Sequence, residues 1–65
     1  MTGEQRQVYF EHIMIGRSVK VVAIDSLTAI EVSIVGPASA AKADLERVAL
    51  RKLIARIARE RDVDH

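Results

Sequence analysis

The sequence predicts an α+β fold: a three-stranded antiparallel β-meander followed by one C-terminal α-helix packed on one sheet face, β-β-β-α in order. Three observations predict it. Two turn signals, Gly16-Arg17 and Ser26 to Ala29, divide the first half of the chain into three runs rich in β-branched residues. Registers set from either turn put the apolar residues on a common face. From Ala40 to about Arg61 the spacing of leucine, isoleucine and alanine becomes helical.

VYFEHIMI, Val8 to Ile15, is the first strand, its β-branched and aromatic side chains suited to a pleated surface. Gly16 as the first of two loop residues fits a type II′ hairpin turn. SVKVVAID, Ser18 to Asp25, is the second strand. Asp25 starts a four-residue turn, SLTA, through local side-chain hydrogen bonding. Ala29 is irregular there, because that site often needs φ > 0 and then favours glycine. IEVSIV, Ile30 to Val35, is the third strand.

The two turns set the pairing independently. Gly16-Arg17 places Met14 opposite Val19, His12 opposite Val21 and Phe10 opposite Ala23. The SLTA turn places Ala23 opposite Val32 and Val21 opposite Ile34. Opposed residues point to the same side. One face therefore gathers Val8, Phe10, His12, Met14, Val19, Val21, Ala23, Ile30, Val32 and Ile34, and a slip of one residue would scramble it. The other face carries Glu11, Lys20 and Glu31, expected to pair across strands, among Tyr9, Ile13, Ile15, Val22, Ile24 and Val35. That is much apolar surface for a face meeting water.

Gly36-Pro37 reads as a rigid corner between strand and helix. A phosphate loop needs several converging N–H groups, and here there is one glycine, a proline without a donor, and Lys42 as the one nearby cation. Ser39 is the expected N-cap, with Asp44 and Glu46 near the positive helix end. Leu45, Ala49, Leu53 and Ile57 form one apolar row, and Leu50, Ile54 and Ala58 a second beside it. Together they are wider than a single packing contact requires.

At 65 residues the chain holds one domain, 8–61, with flexible ends at 1–7 and 62–65. A domain of this size buries only ~60% of its unfolded surface. It has no cysteine, which excludes disulfides, cysteine zinc sites and a catalytic thiol. Oligomerisation is the remaining stabilising device. No apolar run reaches the ~18 residues of a membrane span, and MTGEQRQ lacks a signal-peptide core, so the expected location is cytoplasmic with no membrane partner. The net charge is +1, yet residues 42–61 hold seven basic and three acidic residues, a surplus of +4 on the helix.

No enzyme is expected. His12 stands on the core face without a second ligand beside it on that face, and reads as a buried, hydrogen-bonded neutral histidine. Glu11 and Glu31 lack a pocket for general acid–base work. Ser18, Ser26, Ser33 and Ser39 have no histidine placed to activate them. No catalytic, cofactor-binding or metal residues are assigned, and no small-molecule substrate is expected. The expected function is a protein-interaction module, a homodimer or bound to another protein, using Tyr9, Ile13, Ile15, Val22, Ile24 and Val35 with Leu50 and Ile54. The alternative is a nucleic-acid-binding module whose helix contacts phosphate through Arg47, Arg51, Lys52, Arg56 and Arg59.

SVKVVAID, EVSIVGPASA and LERVALRKL, within residues 8 to 58, resemble a family of short uncharacterised alphaproteobacterial proteins, a domain of unknown function with EVSIVGP before a basic helix. Relatives tend to have Gly where Ala29 stands. The resemblance implies no activity, substrate or catalytic residue. The order of elements is also similar to the last part of the double-stranded-RNA-binding domain, but in SAAKAD Lys42 stands alone where that domain has a lysine cluster.

Overall fold

The computed structural model describes residues 5–62. β1 (Val8–Ile15), β2 (Ser18–Asp25) and β3 (Glu31–Pro37) form one antiparallel sheet in the order β1-β2-β3. α1 (Lys42–Asp62) lies across one face of it, over β2 and β3. Both expected registers are present: His12 opposes Val21, and Val21 opposes Ile34.

The core lies between this inner face and the helix. Val19, Val21, Ala23 and Val32 meet the row Leu45, Ala49, Leu53 and Ile57, with Phe10, Ile30 and Ile34 packed around them. The i, i+4 spacing aligns that row on one helix face. Fully buried Val21 and Leu53 each contribute about 1.5–3 kcal/mol by leaving water.

Gly36 sets how closely the helix approaches. A Cβ there would stand 2.6 Å from Leu45 Cδ2, so any other residue would force the end of the leucine side chain to shift. The opening residue of the corner thus serves packing. The strand continues through it, because Val19 opposes Gly36 and Ser18 opposes Pro37. The helix also starts later than expected. Ala40 N–H donates to Pro37 O at 3.0 Å, closing a turn, and Ala41 O accepts the first helical bonds from Asp44 and Leu45. Ser39 is therefore spent in the turn and is not the N-cap.

Main-chain bonding alternates along each strand. Asp25 N–H donates to Ile30 O and Ala38 N–H to Arg17 O, so even-numbered β3 residues face β2 and odd-numbered ones face outward. Pro37 falls at an outward position, where its missing N–H costs no ladder bond. Lys52 Nζ donates to the outward carbonyl of Ser33 at 2.7 Å. A proline and a lysine thus blunt the β3 edge.

The chain is tied down ahead of Val8. Gln7 N–H donates to Ser26 Oγ at 3.0 Å, Ser26 N–H donates back to Gln7 O at 2.9 Å, and Tyr9 OH donates to Gln7 Oε1 at 2.6 Å. Of the ends expected to be flexible, at 1–7 and 62–65, residues 1–4 and 63–65 lie outside the described residues.

Candidate interaction surface

The outer sheet face is built in rows of opposed residues. Ile13, Lys20 and Val35 form one row; Glu11, Val22 and Ser33 the next; Tyr9, Ile24 and Glu31 the third. Tyr9, Ile13, Ile15 and Val35 are exposed, and Ile24 is half-buried. Val22 is only 7% exposed: on the middle strand its neighbours close over it. It adds little surface to a contact.

The charges on this face do not pair as the sequence suggested. Glu11 lies opposite Val22, Lys20 opposite Ile13 and Val35, and Glu31 opposite Ile24. None of the three enters an ion pair among the described residues. The alternation that put them on one face also staggered them along it.

Leu50 and Ile54 stand on the other side of the sheet, on the helix. Glu46 reaches His12 of β1, and Ile54 and Ala58 line a hollow with Arg6. The row Glu46, Leu50, Ile54 therefore overhangs β1, the strand the helix leaves least covered. Leu50 is half-buried and Ile54 57% exposed. The eight candidate residues thus form two separate surfaces, which come closest around β1.

The five basic candidates also divide. Arg47 pairs with Asp44 at 2.9 Å and Arg56 with Glu60 at 3.0 Å, both exposed, and Lys52 is engaged with Ser33 O. Exposed pairs of this kind contribute little. Lys52, Arg56 and Arg59 line one hollow of about 230 Å³ with Val32 and Ala55. Arg47 and Arg51 lie on another side of the helix.

Two polar features depart from the sequence reading, His12 because it is only half-buried and makes no aligned hydrogen bond through Nε2. His12 Nε2 lies 3.1 Å from Glu46 Oε2 and is shut off from solvent, although the N–H is not aligned for a hydrogen bond. The carboxylate comes from the helix, not from the sheet face. His12 also lines a hollow of about 330 Å³ with Met14, Val19, Ala38, Ala40, Lys42 and Leu45. This lining is mainly apolar.

The second is Asp25, the one buried charged residue among the described residues, at 0% exposure. Its role in starting the turn was legible, but its burial was not. Oδ2 accepts Thr28 Oγ1–H at 2.6 Å and Thr28 N–H at 3.0 Å, while Arg6 Nε stands 2.8 Å from Oδ1. The Thr28 hydroxyl, above all, holds the carboxyl below its ordinary range. Burial opposes this, and the Thr28 N–H and the Arg6 charge reinforce it. The Thr28 hydroxyl in turn accepts Ile30 N–H, so the group locks the β2–β3 turn to the N-terminal segment. The carboxylate thus acts as a brace through Oδ2, while Oδ1 is ion-paired with Arg6 but receives no aligned hydrogen bond. No group of three or more metal-ligating side chains occurs among the described residues.

Taken together these features define a class: a small two-layer β-β-β-α domain with one sheet face left uncovered by the described residues. The chain belongs to a family known as a domain of unknown function (DUF6898), whose profile matches residues 5–60. No curated protein matches it, and no solved structure does. No helix among the described residues is long and apolar enough to cross a membrane.

Proposed function

We propose that the protein is a non-enzymatic interaction module that associates with itself. One observation carries this reading: Tyr9, Ile13, Ile15 and Val35 are exposed together on a sheet face that no helix or loop among the described residues covers. A monomeric domain rarely leaves such a patch to water. A two-layer domain of this size also gains most from assembly, since its own core is small.

Sedimentation equilibrium of the purified protein is expected to show a dimer that Ile13→Glu weakens. Wild-type protein that stays monomeric and soluble at high concentration sinks the proposal. A second reading, phosphate binding by the helix, has the hollow between Lys52, Arg56 and Arg59 in its favour. It is the weaker, because three of the five cations are already engaged and the five point to two sides. Binding to RNA or DNA that falls steeply with salt and with Arg51→Glu is its signature.

A further inference from the structure

The two edges of the sheet are unequal. β3 is blunted by Pro37 and by Lys52 on Ser33 O. β1 has neither device: its eight residues contain no proline or lysine. Ser26 N–H donates to Gln7 O, and a two-residue loop makes Ile15 and Ser18 a bonded pair. Odd-numbered β1 residues therefore face β2, and the N–H and C=O groups of Val8, Phe10, His12 and Met14 face outward. Among the described residues none of these meets a partner. Of the eight large apolar side chains exposed there, four (Tyr9, Ile13, Met14 and Ile15) stand on this one strand.

We infer that the self-association proposed above, on which this inference rests, runs through the β1 edge. β1 of a second copy adds antiparallel to it and extends the sheet to six strands. An edge contact is the one arrangement that reaches both sides of the sheet, and so touches Ile13 and Ile15 on one side and Met14 and Ile54 on the other. The occupant is a strand because main-chain donors and acceptors in an extended row bond to another such row. It is a second copy because β1 complements itself about a two-fold axis at His12. Tyr9 then opposes Ile15 and Phe10 opposes Met14 of the second copy, apolar against apolar. An axis at Glu11 would oppose two like charges, which disfavours it.

The outward positions give the test. Met14→Pro removes an N–H that β2 does not use and a side chain that is 64% exposed. The monomer fold is expected to survive by circular dichroism, while association weakens at least tenfold in sedimentation. Met14→Lys, which places a charge on the edge, should act alike if the proline variant fails to fold. In this cysteine-free chain, His12→Cys should cross-link two copies by a disulfide under mild oxidation, and Glu11→Cys should do so far less. Folded Met14→Pro and Met14→Lys proteins that dimerise like wild type overturn the edge pairing but leave self-association standing. Preferential cross-linking through Glu11→Cys overturns the register. A monomeric wild type overturns both proposals.

Discussion

Ala29→Gly should stabilise the protein. Ala29 sits at φ 63°, with its N–H donating to Asp25 O at 2.9 Å. A left-handed L-residue crowds its Cβ against the next carbonyl, at roughly 1–2 kcal/mol. Glycine removes that cost but leaves the unfolded chain freer, which returns about 0.4–1 kcal/mol. The Ala29 methyl is exposed, so no burial is lost. The net gain is about 0.5–1 kcal/mol, or roughly 2–8 °C in Tm for a domain this small. Urea and thermal unfolding followed by far-UV circular dichroism measure it, with protein concentration held fixed because assembly shifts the midpoint. Gly16→Ala is the mirror experiment: φ is 60°, nothing lies within 4 Å of the added methyl, and a loss of about 0.5–1 kcal/mol follows from the same terms. Shifts of the same sign in the two variants, or none for Ala29→Gly, would refute backbone strain as the governing quantity.

Gly36→Ala should cost about 1–3 kcal/mol, since Leu45 has to leave its place in the core; a fall in urea midpoint at constant m-value checks it. Acid should weaken the fold through Asp25. Its folded pKa is depressed, so its contribution is complete above the unfolded value of about 3.9 and is lost as pH falls through the lower folded value. Stability measured from pH 7 downward should therefore drop below about pH 4, and Asp25→Asn should be less stable at pH 7 and show a shallower drop.

The strands and their pairing were legible because two short-range signals, one turn at each end of β2, constrain the same alternating pattern. Even the irregular residue showed: Ala29 stands where the chain needs φ > 0. What periodicity reports is the side a residue faces. It does not report where along that side a neighbour lies, so Glu11, Lys20 and Glu31 were grouped correctly and paired wrongly. Nor does it report how far across the sheet the helix is displaced. That offset depends on Gly36 admitting Leu45 and on Lys52 reaching β3, contacts between residues distant in the chain. It decides that Leu50 and Ile54 overhang β1. The Arg6–Asp25 brace escaped for the same reason: a polar N-terminal stretch carries no pattern, yet it supplies the cation for a buried carboxylate 19 positions on. Middle-strand position, which no single-strand pattern shows, explains why Val22 is covered while Tyr9 and Val35 are not.

The blunted β3 edge has a consequence for stoichiometry. A sheet with two open edges is a monomer in the polymer sense: each addition exposes another acceptor, and growth runs on to fibres. A sheet with one open edge terminates itself, because joining two such edges leaves only closed ones at the ends. If β1 pairs with a second copy as proposed, Lys52 and Pro37 on the far edges would act as chain stoppers, and the sheet would end at six strands without nucleating a filament.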